Sequence, residues 1–465
     1  MENSNSTIRT VNPFNNEIVK TFDTMSHEQV SSIINKADTA YKSWKKTSFA
    51  TRSAIIHKVA EIMRKRKREL GELATLEMGK LLKESISEVE LSADIFDYYA
   101  KNAEKLLADK KLETPFGEAF ISYDPIGVIL SVQPWNFPYY QVTRSAAPNI
   151  MAGNTMVLKH ASNVPQCAKL MEDIFIEAGL PDGVYNNIFL PGKDVEPLVS
   201  NPKIAAVSLT GSEPAGASIA GAAGSKAKKS TLELGGSDPF LVLEDADIDD
   251  AVETAVYGRM WNAGQVCVSP KRVIVPEKRY DEFLDKVKST FTKLKVGNPM
   301  DDDTDVAPLS TEKAARDVVK QIEKAKEQGA HILLGGKRAD RPGAFVEPTL
   351  ITGVTSEMNA YYEEIFGPVF VLYKYKTLDE AINLANATDF GLGGTVFGTD
   401  KKKAVEVARQ IETGMVYINH VTGIAPELPF GGAKRSGYGR EQGEAGIYEF
   451  VNEKLIRVTD SHNAY

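Results

Sequence analysis

Ile204-Ala205-Ala206-Val207-Ser208-Leu209-Thr210-Gly211-Ser212-Glu213-Pro214-Ala215-Gly216 is the stretch that decides the fold. Ile204 to Leu209 is a short apolar run of strand length. Gly211 then turns the chain and a helix opens behind it. A strand feeding through a glycine turn into a helix is the repeating unit of a parallel sheet. The turn also faces backbone N–H groups and the positive end of a helix dipole toward open space, where a phosphate is stabilised. The spacing is not G-x-G-x-x-G, so alone it is a weak nucleotide signal.

The same unit recurs on both sides. Gly127–Val132 and Thr155–Lys159 read as strands. A helix follows from Pro165, a favoured first helical position, to Gly179. Asn187–Leu190 reads as a further strand. A second α/β stretch begins near Asp238, with strands at Arg272–Val275, Ile332–Leu334 and Val369–Lys374 and a helix over Thr311–Gln328. Upstream the pattern is helical. Ser26 and Gln29 make a capping box, and Val30, Ile33, Ile34, Ala37, Tyr41 and Trp44 follow the 3.6 period. Further helices start near Thr51 and Ser85. The basic run Arg64–Arg68 continues such a pattern and reads as a solvated helix face.

The 465 residues carry a formal net charge of -8. An acidic surface repels nucleic-acid phosphates and anionic lipid, so neither is an expected partner. The polar stretch Met1–Ser6 has no apolar core of a secretory signal, and no apolar run reaches the length of a membrane span. The two cysteines, Cys167 and Cys267, make no disulfide framework, and no cysteine or histidine spacing suggests a metal. A reducing cytoplasm fits this usage.

Three residues could carry chemistry. Cys267 follows Asn262-Ala263-Gly264-Gln265-Val266, whose small residues permit close backbone approach. Taken alone, a single cysteine is more often a small buried hydrophobe than a nucleophile. Glu233 precedes Leu234-Gly235-Gly236 and reads as a general base or a surface charge. Asn136 lies in the rigid turn Pro134-Trp135-Asn136-Phe137-Pro138, where an amide is either an oxyanion donor or an ordinary turn residue. Cys167, on the helix from Pro165, reads as core. A cysteine hydrolase using Cys267 is a competing reading, but no histidine lies near Cys267 in sequence.

Taken together, these segments resemble the aldehyde dehydrogenase family from end to end. The matching stretches are Pro134-Trp135-Asn136-Phe137-Pro138, Val157-Leu158-Lys159, Leu209-Thr210-Gly211-Ser212, Glu233-Leu234-Gly235-Gly236, Gly264-Gln265-Val266-Cys267, Glu363-Glu364-Ile365-Phe366-Gly367-Pro368 and Pro429-Phe430-Gly431-Gly432. The separation of Glu233 and Cys267 also matches. The resemblance implies an α/β fold with a Rossmann-type nucleotide-binding domain (1–107 and 125–236), an α/β catalytic domain (237–435) and a small bridging β unit (108–124 and 436–465). It implies Cys267 as nucleophile, Glu233 as base and Asn136 as oxyanion donor. For NAD or NADP it implies contacts from Trp135, Lys159, Ser162, Gly211, Ser212, Glu364 and Phe366. It also implies a homodimer or homotetramer acting on a small aldehyde.

Lys159-His160-Ala161-Ser162 and Glu233-Leu234-Gly235-Gly236-Ser237-Asp238-Pro239-Phe240 look most like bacterial succinate-semialdehyde dehydrogenases. Arg144 matches an arginine that several such enzymes use for the substrate's distal carboxylate, a group that arginine grips bidentately. Its alternative is a structural ion pair. Two positions depart from the pattern. Trp261 stands where some relatives have a second arginine, and Ile424 and Ala425 stand where they have a serine. An uncharged aliphatic or aromatic aldehyde is therefore the alternative substrate. Ser162 stands where NAD-preferring relatives often carry a glutamate. A small neutral residue does not repel a 2′-phosphate, so NADP is expected to serve at least as well as NAD.

Overall fold

A computed structural model of the protein describes residues 7–115 and 117–459. The polar ends that bear on the secretory-signal reading lie outside that range. The stretch Ile204–Thr210 is a strand, Gly211 and Ser212 turn the chain, and Glu213–Gly224 is a helix. The strand is the hub of a six-stranded sheet. From edge to edge the order is Gly437–Tyr438, Lys229–Glu233, Ile204–Thr210, Val128–Gln133, Thr155–His160 and Tyr185–Asn187. All neighbours are parallel except the Gly437–Tyr438 edge. The order reverses between Val128–Gln133 and Ile204–Thr210. A crevice opens beyond the strand ends at such a reversal, and the turns that line it are Pro134-Trp135-Asn136 and Gly211-Ser212.

The second sheet has seven strands, in the order His331–Leu334, Thr349–Thr352, Val369–Tyr375, Pro270–Pro276, Asp238–Val242, Thr395–Phe397 and Tyr417–Ile418. Only His331–Leu334 runs antiparallel. Pro270–Pro276 is buried at every position, as a strand covered on both faces must be. Cys267 sits just before this strand, and Glu364 and Phe366 just before the neighbouring Val369–Tyr375. Each sheet has its own apolar core.

The helical reading of the N-terminal part holds, with helices over His27–Trp44, Phe49–Lys65, Lys67–Met78 and Leu82–Leu106. The Ser26–Gln29 capping box forms in full. The strand placed at Asn187–Leu190 lies slightly earlier, at Tyr185–Asn187. An antiparallel pair, Thr7–Val11 with Ile18–Asp23, precedes the helices and was not foreseen.

A three-stranded antiparallel sheet joins Lys110–Leu112, Glu118–Pro125 and Val451–Val458. The segment assigned whole to this unit, 436–465, divides. Gly437–Tyr438 instead pairs with Leu232 and Glu233 in the first sheet. Glycine makes this possible: at φ +117 a Cβ on Gly437 would lie 1.9 Å from the Leu232 carbonyl oxygen.

Candidate active site

A cavity of about 250 Å³ opens at the reversal of the first sheet. Trp135, Asn136, Gly211, Ser212, Cys267, Glu364 and Phe366 line it, with Gln141 and Gly235. Seven residues singled out in the sequence therefore meet at one place. They come from strand ends of both sheets.

The Cys267 loop is held tightly. Asn262, Ala263 and Gly264 all take the left-handed conformation, which is unfavourable for the two non-glycine residues. A Cβ on Gly264 would lie 2.1 Å from the Gly367 carbonyl oxygen, so only glycine fits. The wholly buried Arg259 ties the loop to its neighbour. Its guanidinium donates to the carbonyls of Gly264 (3.3 Å), Ile365 (2.6 Å) and Gly367 (2.7 Å). Lys271 donates to the carbonyls of Val266 (2.8 Å) and Cys267 (2.7 Å) and pairs with Glu364 at 3.0 Å.

The Asn136 amide is oriented on both sides. Its oxygen accepts from Gln141 at 3.4 Å, and its nitrogen donates to the Gln265 carbonyl at 3.1 Å. An amide nitrogen carries two N–H groups, so a second donor is left for the cavity.

Charges around Cys267 compete. Burial pushes its thiol up to about 12, with Lys271 and Arg144 pulling it down and Glu233 and Glu364 adding to the rise. The thiol therefore needs a proton acceptor to react. Glu233 ends the strand Lys229–Glu233 behind the cavity wall, buried, with neither oxygen hydrogen-bonded among the described residues. Burial raises its carboxyl to about 8, Glu441 adds to this, and Arg144 and Arg440 oppose it. A carboxyl held near neutrality can exchange protons, as a general base must.

The cleft fits a dinucleotide. The helix Glu213–Gly224 begins at Ser212 with no side chain capping its first N–H groups, so they are free for a phosphate. Lys159 is buried with no ion-pair or hydrogen-bond partner among the described residues, and burial lowers its pKa. A Cβ on Gly235 would lie 2.3 Å from a Glu364 carboxylate oxygen. The Trp135 and Phe366 rings meet edge to face at 5.9 Å.

The profile of the aldehyde dehydrogenase family matches residues 1–456. The chain belongs to that family. A succinate-semialdehyde dehydrogenase (NADP+) of Deinococcus radiodurans is 48% identical over 448 residues, 96% of this chain and 94% of that one. A succinate-semialdehyde dehydrogenase (NADP+) 1 of Mycobacterium tuberculosis is 46% identical over 97% of this chain and 99% of its own. A crystal structure of the succinic semialdehyde dehydrogenase from Streptococcus pyogenes in complex with NADP+ superposes with a TM-score of 0.96. It is 46% identical and covers 97% of this chain and 100% of that one.

In this aldehyde dehydrogenase, four predicted site residues besides Glu233 lie away from the cavity lining. Ser162 lines a separate cavity of about 840 Å³ with Arg9, Pro191 and Lys193. Trp261 packs against Phe137, ring centroids 5.2 Å apart. Lys159 lies in the neighbouring strand. Arg144 is buried beneath the site, paired with Glu441 and donating to Thr210 at 3.1 Å. Burial works against its charge, but Glu441, Tyr140 and Glu233 hold its pKa above the usual value.

Sequence reading missed Gln141, Lys271 and Glu441. Lys271 had a signal, since it and Arg272 are two adjacent charges in an otherwise apolar, wholly buried strand. Glu441 had a weaker one, a carboxylate in the glycine-flanked run Gly439-Arg440-Glu441-Gln442-Gly443. Gln141 had none.

Proposed function

We propose that this aldehyde dehydrogenase oxidises succinic semialdehyde to succinate with NADP+, and with NAD+ less well or equally. The observation that carries the reading is the agreement of close, full-length relatives on that substrate and cofactor. Ser162 and the partnerless Lys159 support NADP+, since neither opposes a 2′-phosphate. The charged Arg144 beneath the cavity supports an anionic substrate.

Cys267 Sγ attacks the aldehyde carbon, its proton passing to solvent water. The resulting alkoxide accepts hydrogen bonds from the free N–H of Asn136 and the backbone N–H of Cys267. Preorganised donors of this kind each lower the barrier by about 3 kcal/mol. NADP+, when bound, would supply the hydride acceptor needed for collapse of that alkoxide. Cys267 then carries a thioester. Glu233 takes a proton from water, the hydroxide attacks the acyl carbon, and the Cys267 sulfur leaves with the proton restored. Trp135, Glu364 and Phe366 would hold the nicotinamide end, and Ser212 with its helix the pyrophosphate.

One observation favours the uncharged-aldehyde alternative: among the described residues, no arginine or lysine lines the 250 Å³ cavity. Kinetics with succinic semialdehyde and butanal, each with NADP+ and NAD+, separate the two. Wild type is expected to prefer the acid by about 100-fold in kcat/KM, a usual value for engaging a buried charge. Arg144→Ala is expected to abolish that preference. A preference for butanal, or for NAD+, would overturn the corresponding half of the proposal.

We further propose a cytoplasmic homodimer or homotetramer. Leu112, Leu455 and Val458 are 36%, 64% and 55% exposed on the edge strands of the three-stranded sheet. Exposed apolar edges invite pairing with another chain. No helix among the described residues is long and apolar enough to cross a membrane. Light scattering that returned the mass of one chain would refute the assembly.

A further inference from the structure

The start of the helix Leu82–Leu106 carries charges buried behind the active site. Lys80 and Glu88 form an ion pair whose side chains are 0% and 1% exposed. Isolated in the core, such a pair stabilises little. Its contacts show another use. One Glu88 oxygen accepts the backbone N–H groups of Tyr139 (2.7 Å) and Tyr140 (2.9 Å). These open the helix Tyr140–Ala152, whose own N-cap, Tyr139, supplies no capping side chain. A carboxylate there satisfies orphan donors and complements the helix dipole. The Lys80 ammonium lies 3.7 Å from the Phe137 ring centroid. Both contacts therefore grip the residues just after Asn136.

Glu84 lies one helical turn from Glu88, on the same face. One of its oxygens accepts the backbone N–H of Asn262 at 3.2 Å, and the other is buried without a partner. Asn262 begins the left-handed run that leads to Cys267. Its side chain donates to the Asn136 carbonyl at 2.9 Å.

We propose that Lys80, Glu84 and Glu88 are positioning residues for the oxyanion pocket. One rigid helix holds the Asn136 loop through Glu88, aided by Lys80 just before its first turn, and the Cys267 loop through Glu84. The two donors, one from each loop, then converge on one point. None of the three touches the cavity. The inference rests on the assignment of Asn136 and Cys267 as the two halves of that pocket.

The test is a double-mutant cycle in the full-length enzyme. Misplacing a reacting group by about 1 Å costs on the order of 100-fold in rate. Glu84→Ala is accordingly expected to lower kcat by about 10- to 100-fold, with KM for the aldehyde within about threefold. Glu84→Gln, whose amide oxygen still accepts the Asn262 N–H, is expected to restore most of kcat. Glu84→Met keeps the volume, removes the acceptor and replaces the alanine variant if that fails to fold. In an Asn136→Ala background, loss of Glu84 is expected to cost less than about threefold, because one of the two donors whose convergence it maintains is already gone. Cys267 alkylation by iodoacetamide and NADP+ binding by fluorescence quenching should be unchanged. Equal losses in both backgrounds would overturn the proposal, as would parallel losses in alkylation and cofactor binding. An unimpaired Asn136→Ala enzyme would instead overturn the oxyanion assignment beneath it.

Discussion

Cys267→Ala is expected to abolish aldehyde-dependent formation of reduced nicotinamide, lowering kcat/KM by at least about 10⁴-fold, as loss of a covalent nucleophile does elsewhere. The physical reason is electronic. An aldehyde has no oxyanion from which to expel hydride, and the thiolate adduct creates one. The helix N-terminus at Ser212, Lys159 and Glu364 lie on other elements, so the variant should still bind NADP+ with near-native affinity. Absorbance at 340 nm measures the first effect and fluorescence quenching the second. Turnover surviving in a verified variant would remove Cys267 from the reaction. The same assay addresses the hydrolase reading, since a cysteine hydrolase would produce no reduced cofactor.

Glu233→Gln should separate the two halves of the reaction. Glutamine keeps the shape but cannot accept a proton. A burst of reduced cofactor, one equivalent per active site, should remain, followed by steady turnover slower by about 10²- to 10⁴-fold. Mass spectrometry of the quenched enzyme should find the acyl group on Cys267. The wild-type pH profile follows from the same residue. Burial raises the Glu233 carboxyl to about 8, and only its ionised form takes the proton of the attacking water. Thioester hydrolysis should therefore slow as pH falls through that value and level off above it. The slope should vanish in Glu233→Gln. Loss of the burst together with turnover would show that Glu233 is needed before hydride leaves.

Local signals carried much of this architecture. The Ser26 capping box, the proline opening the helix at Pro165 and the apolar run at Ile204 each encode a structural choice within a few residues. The helix Tyr140–Ala152 had no such signal. All thirteen of its residues are buried, the polar Gln141, Arg144 and Asn149 included, and Pro148 lies inside it, a residue that reads as a helix breaker. This hid Gln141 and left the setting of Arg144 open. The motifs located Cys267, Asn136, Glu364 and Phe366, which meet in the cavity. They could not reveal that Arg144 faces Glu441, because that pair joins residues far apart in the chain. The division of the C-terminal segment was hidden for the same reason: Gly437 pairs with Leu232 through a backbone approach that composition does not record.

That pairing bears on how the protein is made. The first sheet takes its edge strand, Gly437–Tyr438, from beyond the entire second sheet, and the Asn154 side chain donates to the carbonyl of Phe450 at 2.8 Å. On the ribosome, most strands of the first sheet emerge before the one that finishes its edge. Its flank stays open until the strand Gly437–Tyr438 has been synthesised. Closure of the first sheet therefore waits on residues that follow the whole second sheet, unlike the domain-by-domain folding common in long chains.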